Sequence, residues 1–108
     1  MKRQAKTFTT PAADAAAQHL GALVRQGRLA RRWTLAELAE RARIGTATLK
    51  RIEKGSGSVS LAVWLSVFER LGLLPQLMNL QDPAAKALVD ETRIKRARRK
   101  SFAADLDF

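Results

Sequence analysis

The residues from Thr46 to Lys54 concentrate side chains suited to binding rather than to reaction: Thr46, Ala47, Thr48, Lys50, Arg51 and Lys54. A guanidinium such as that of Arg51 can donate to guanine O6 and N7 together, a pairing worth about 1–3 kcal/mol of discrimination between bases. Ammonium and hydroxyl groups suit phosphate oxygens. Taken alone, Lys50, Arg51 and Lys54 read as an ordinary solvated helix face. Covalent chemistry has little to work with. His19 stands alone and reads as a surface or packing residue, cysteine is absent, and no cluster of carboxylates, histidines or glycines outlines an active site. No catalytic residue, metal ligand or cofactor is assigned, and the chain does not read as an enzyme.

Charge narrows the partner. Twenty Lys and Arg face ten Asp and Glu, giving a net charge of +10 and an isoelectric point near 11.3, the electrostatic footprint of a nucleic-acid binder. Charge alone does not choose DNA over RNA. No apolar run reaches the roughly 18–20 residues of a membrane span. The residues before Thr10 lack the apolar segment of a secretory signal, so a bacterial cytoplasm is the expected compartment and no membrane partner is expected.

The elements that must position the binding residues follow from caps and periodicity. With 108 residues the chain has the size of one domain. Thr10-Pro11 predicts a helix start, and the helix should run to about Arg32. Its expected core stripe is Leu20, Leu23, Val24 and Ala30, with Arg25, Arg28, Arg31 and Arg32 mostly off it and Gly21 and Gly27 as weak points. Thr34-Leu35-Ala36-Glu37 is a capping box that opens a short second helix, with Leu38, Ala39 and Ala42 facing inward. The pattern breaks at Arg43-Ile44-Gly45. A third helix is then expected from Thr46 to about Lys54, with Leu49 and Ile52 inward and Gly55 ending it.

Ser60 caps a fourth predicted helix whose Leu61, Trp64, Leu65, Phe68 and Leu71 recur at core spacing, up to Gly72. Leu73 to Leu80 fits either an edge strand or a turn of helix, since Pro75 bars a central strand. Asp82-Pro83 looks like a further helix start, leading through Ala87, Leu88, Val89 and Ile94 into a segment, Arg93 to Lys100, in which six of eight residues are basic. The chain opens on Lys2, Arg3 and Lys6, read as a flexible basic arm, and closes on an acidic and aromatic tail.

Residues 20 to 72 resemble the five-helix repressor family of phage repressors, Cro and bacterial XRE-type regulators. The matching runs are Thr34-Leu35-Ala36-Glu37-Leu38-Ala39, Ile44-Gly45-Thr46-Ala47-Thr48-Leu49, Arg51-Ile52-Glu53-Lys54-Gly55 and Ser60-Leu61, in order. The resemblance implies an all-α fold of five helices in which a helix-turn-helix reads double-stranded operator DNA. It implies a structural ion pair between Arg28 and Glu53. It places Thr46, Ala47 and Arg51 at base edges and Thr48 and Lys50 at phosphates or bases, with Lys54 beside them. Two departures stand out: Arg43 occupies a turn position where Gly is usual, and Leu35 replaces a common Gln. Arg43 is therefore a candidate phosphate contact, and Thr34 or a nearby backbone amide must supply the contact the Gln would make.

The resemblance further implies a homodimer, for which Leu73, Leu74, Leu77, Met78 and Leu80 are the expected interface. The expected organisation is thus a basic arm over 1–10, a DNA-binding domain over 11–72, a dimerisation segment over 73–82 and a basic extension over 83–108. Beyond the core the chain is similar to HipB-like antitoxins, partners of HipA-type serine/threonine kinase toxins, in which a short segment after the fourth helix builds an intersubunit ribbon. Asp105-Leu106-Asp107-Phe108 echoes their terminal signature. An autoregulating antitoxin, a free-standing repressor and, more distantly, a basic RNA-binding protein are the functions left to separate. The basic run from Arg93 to Lys100 fits a DNA-backbone clamp or a solvated tail that docks an acidic protein, DNA being the favoured reading.

Overall fold

The computed structural model describes residues 9–105. The expected arm through Phe8 lies outside the described residues, as do Leu106, Asp107 and Phe108 of the tail. The described residues are all-α, with no strand: α1 (Pro11–Ala30), α2 (Leu35–Ala42), α3 (Thr46–Glu53), α4 (Leu61–Arg70), α5 (Leu74–Met78) and α6 (Pro83–Asp105). They fall into two compact units that part between Leu77 and Met78.

In the first unit each of the first four helices starts where its cap dictates. Thr10 Oγ1 accepts the Ala13 amide at 3.1 Å, and Pro11 takes the first helical position, where a missing N–H costs nothing. The capping box of α2 is complete: Thr34 Oγ1 accepts the Glu37 amide at 3.1 Å, and the Thr34 amide donates to Glu37 Oε1 at 3.3 Å. Gly45 caps α3 without a side chain. Ser60 Oγ accepts the Val63 amide at 3.4 Å to open α4.

The core gathers Val24 from α1, Leu38, Ala39 and Ala42 from α2, Leu49 and Ile52 from α3, and Trp64, Val67, Phe68 and Leu71 from α4 and its end. Each large side chain buried there contributes about 1.5–3 kcal/mol, against a few tenths for an exposed ion pair. Burial therefore decides how the helices pack. The Trp64 and Phe68 rings stack with centroids 6.3 Å apart.

The core corrects the expected stripes in several places. Ala30 is exposed, because at about 100° per residue it stands roughly 120° around α1 from Val24. α1 itself ends at Ala30 rather than Arg32. The buried face runs instead through Gly21, Val24 and Arg28, so Arg28 lies on the stripe and not off it. Leu61 shares the buried face of α4 by angle but is 72% exposed at the first position of that helix. It forms the rim of an open apolar cleft of about 290 Å³ that also borders Leu20, Leu65 and Leu77. Val67, absent from the expected stripe, is fully buried.

Leu74 to Met78 is a helix, not the strand of an intersubunit ribbon. Pro75 cannot donate to a strand ladder but is tolerated in a first helical turn. Leu73 and Leu77 pack against the core, Leu74 is half-buried, and Met78 and Leu80 are 77% and 81% exposed.

The second unit is built on α6. Asp82 Oδ1 accepts the Ala84 amide at 3.0 Å and Pro83 follows it, so the helix begins as its sequence indicates. Its residues are exposed from Pro83 through Ala104. It stands on helix-forming Ala, Lys and Arg and on one i,i+4 pair, Glu91–Lys95 at 3.2 Å, rather than on burial.

The tightest packing in the first unit is between backbones. A Cβ on Gly21 would press on the carbonyl oxygen of Ile52 and lie 2.8 Å from the Gly55 amide nitrogen. Gly55 in turn has φ +76, and a Cβ there would sit 2.5 Å from the Gln18 Cα. Gly27 is different, because a Cβ there would meet only the ends of the Arg31 and Leu71 side chains, at 3.3 and 3.4 Å. In an open helix Gly→Ala gains up to about 1 kcal/mol, whereas overpacking costs about 1–3 kcal/mol. Gly21→Ala is accordingly expected to lower the melting temperature by about 10 °C and Gly27→Ala to leave it nearly unchanged, as thermal unfolding followed by circular dichroism will show.

Candidate nucleic-acid interface

The turn between α2 and α3 sets the presentation of α3. Arg43 adopts φ 57 and ψ 44, the left-handed conformation, which costs a residue bearing a Cβ about 1–2 kcal/mol. The strain is held in place by the Arg43 amide donating to Glu40 O at 3.1 Å and the Ile44 amide donating to Ala39 O at 2.9 Å. The turn therefore keeps its left-handed step although glycine is missing. Ser66 Oγ donates to the carbonyl of Ala42 at 3.1 Å, so α4 grips the end of α2 from behind.

α3 then divides by face. Leu49 and Ile52 are fully buried, while Thr46, Ala47, Lys50, Arg51 and the capping Lys54 are exposed and Thr48 is half-buried. Thr34 and Arg43 are exposed at the two ends of α2. The structure thus brings Thr46, Ala47, Lys50, Arg51 and Lys54 onto one short helix and its cap, with Arg43 in the turn leading into it. Thr34 stands apart at the start of α2, its hydroxyl oxygen already accepting the Glu37 amide.

Arg28 and Glu53 meet across α1 and α3. Arg28 Nε donates to Glu53 Oε2 at 2.8 Å and Nη2 to Oε1 at 3.0 Å, a two-pronged pair with side chains 10% and 9% exposed. Nη1 donates to the Trp33 carbonyl at 3.0 Å. The bond to Glu53 holds the guanidinium above its ordinary pKa, outweighing the opposing effect of burial. The charge therefore persists across the working pH range.

Two arrangements around this pair have weaker signatures in the sequence. The Trp33 ring carries two guanidinium contacts, with Arg41 Cζ at 4.4 Å and Arg31 Cζ at 5.8 Å from its centroid. Arg31 Nη2 also donates to Leu71 O at 2.6 Å, which ties the end of α1 to the end of α4. Beside the ion pair, Arg25, Lys50 and Lys54 line a shallow depression with Leu35. The signal for Arg25 was its place three residues before Arg28, which puts both on neighbouring turns of one helix face.

Among the described residues no group of three or more His, Asp or Glu side chains could hold a metal ion, and no helix is long and apolar enough to cross a membrane.

Two short helices joined at a tight left-handed step, the first gripped by α4 and the second packed on α1 and exposing a polar and basic face, define a helix-turn-helix DNA-binding domain. The family model described as "Helix-turn-helix domain" matches residues 19–81, more than half of the chain, and the chain belongs to that family. Among solved structures, the chain is similar to the clp gene regulator ClgR from Corynebacterium glutamicum, at 28% identity over 81% of this chain and 92% of that one, with a TM-score of 0.49. It is also similar to a chain of a SinR protein/SinI protein complex, at 26% identity over 82% of this chain and 91% of that one, with a TM-score of 0.44. No curated protein matches.

Removing one member of the buried pair leaves the other charge without its partner, at a cost of about 3–5 kcal/mol, whereas replacing both with apolar residues of similar size is far milder. Arg28→Met is expected to lower unfolding stability by at least about 3 kcal/mol. The double variant Arg28→Met/Glu53→Leu is expected to recover more than half of that loss in urea titrations.

Proposed function

We propose that this protein is a sequence-specific transcriptional repressor that binds operator DNA as a homodimer, reading base edges with Thr46, Ala47 and Arg51. The observation that carries the reading is the division of α3: its buried face fixes it to the core, and its exposed face presents a guanidinium and short side chains with no structural duty. Lys50, Lys54 and Arg43 serve the DNA backbone, with Thr48 at the edge of the same face and Thr34 at the start of α2. One such helix reads few bases, so paired half-sites and a two-fold dimer supply the remaining specificity. Leu74 on α5, with Leu73, Leu77, Met78 and Leu80 around it in sequence, is the interface we assign. Exposed Leu61 and the apolar cleft beside it extend the apolar surface of the first unit. The exposed basic run from Arg93 to Lys100 adds affinity for the backbone of any sequence.

A finer reading makes the chain an antitoxin that represses its own operon and binds a HipA-type kinase. Its support is the Asp105-Leu106-Asp107-Phe108 signature and the apolar segment after α4, although that segment is helical rather than a ribbon strand. Co-expression with the product of an adjacent kinase-like gene, if one is present, decides it: a stable complex supports the antitoxin, and no complex supports the free-standing repressor.

Titration of the protein against its own upstream region and against a scrambled duplex tests the main reading. Wild type is expected to prefer its own region, and Arg51→Ala to lose about 10–100-fold there while losing little on the scrambled duplex. Equal binding of wild type to both duplexes would sink it.

Arg43→Gly separates fold from binding in the turn. Relief of the left-handed strain, less the extra freedom of glycine in the unfolded chain, should stabilise the domain by about 0.5–1 kcal/mol. The same variant should bind both duplexes more weakly, as chemical denaturation and DNA titration together will reveal.

A further inference from the structure

We infer that Arg25, Lys50 and Lys54 form a seat for one phosphodiester of the DNA backbone, which makes Arg25 of α1 a DNA contact. The inference rests on the DNA-binding reading above and deepens it.

The three cations line one shallow depression of about 240 Å³, together with Leu35, Arg28 and Glu53. Arg25 lies on α1, whereas Lys50 and Lys54 are spaced one turn apart on α3 and its cap. What brings them together is the Arg28–Glu53 pair, which clamps the two helices at 2.8 and 3.0 Å. The one carboxylate in the lining is Glu53, and both its oxygens are taken by Arg28. The lining therefore carries a surplus of three positive charges, from Arg25, Lys50 and Lys54, all exposed. Like charges gathered in this way repel one another, and an anion placed between them removes the repulsion. A phosphodiester supplies one negative charge and two oxygens able to accept from an ammonium and a guanidinium at once. The depression also borders Leu35 at the start of α2.

The same lining would also suit free inorganic phosphate, so the experiment separates the two sources. Wild type, Arg25→Gln and Arg51→Ala are titrated against the upstream duplex and a scrambled duplex over a range of salt, with melting curves to confirm that each folds. Arg25→Gln is expected to weaken binding to both duplexes alike, about fivefold at low salt, and to reduce the salt slope by about 0.9, the value for one lost phosphate contact. Its preference for the upstream duplex should match wild type. Unchanged binding to both duplexes, or a changed preference, would overturn the seat. Inorganic phosphate is added in a second arm at constant ionic strength. Stabilisation of wild type that Arg25→Gln abolishes, with DNA binding intact, would assign the site to free phosphate and likewise overturn the proposal. Loss of the wild-type preference itself would reject the operator reading, whereas the ratio of Arg25→Gln to wild type on scrambled DNA still decides the seat.

Discussion

A single buried guanidinium organises the DNA-binding unit. Arg28 is the one charged residue counted as buried among the described residues, and its three nitrogens reach Glu53 twice and the Trp33 carbonyl once. Those bonds join the middle of the fold to both of its edges: α1 supplies the arginine, the loop into α2 supplies the carbonyl, and the last residue of α3 supplies the carboxylate. A charge withdrawn from water is tolerated only when its hydrogen-bonding capacity is met, so the position of α3 relative to α1 is set by directional bonds as well as by apolar packing. The close backbone approach at Gly21 and Gly55 depends on the same registration, because the helices can touch there only if they cross at that point.

The turn between α2 and α3 shows the opposite balance. Arg43 takes a backbone conformation that glycine would adopt at lower cost, and two backbone hydrogen bonds together with the buried Leu38, Ala39 and Leu49 on either side over-determine it. The strain is tolerated where a long cation is carried into the loop that leads to α3. Stability has been given up locally at a position where a positive charge stands next to the exposed face of α3.

Most of the fold was legible in the sequence because its signals are local. Thr10-Pro11, the Thr34–Glu37 capping box, Ser60 and Asp82-Pro83 each fix a helix start through bonds made within three residues. The contrast between Leu49 or Ile52 and their polar neighbours fixes which way α3 faces. What the sequence concealed is long-range. Gly21 reads as a weak point of α1 until the Ile52 carbonyl is found against it. Arg28 stands off the apolar stripe by residue type, and its buried place was legible only through the resemblance, which pairs it with Glu53 as the structure does. Leu61 has the right angle for the core, but coverage at a helix end depends on which neighbour arrives there. The segment after α4 was ambiguous because Pro75 is compatible with both an edge strand and a first helical turn. Arg25 carries only a weak signal, its spacing to Arg28, until Lys50 and Lys54 are seen beside it.

The division of α3 into two faces separates inheritance from novelty. Leu49, Ile52 and Glu53 answer to the interior and leave few alternatives, while Thr46, Ala47 and Arg51 answer only to whatever lies outside. A lineage descended from this chain can therefore drift toward a new target by exchanging a handful of outward side chains, without passing through an unfolded ancestor. Duplicated copies within one genome can likewise diverge in target while remaining the same molecule underneath.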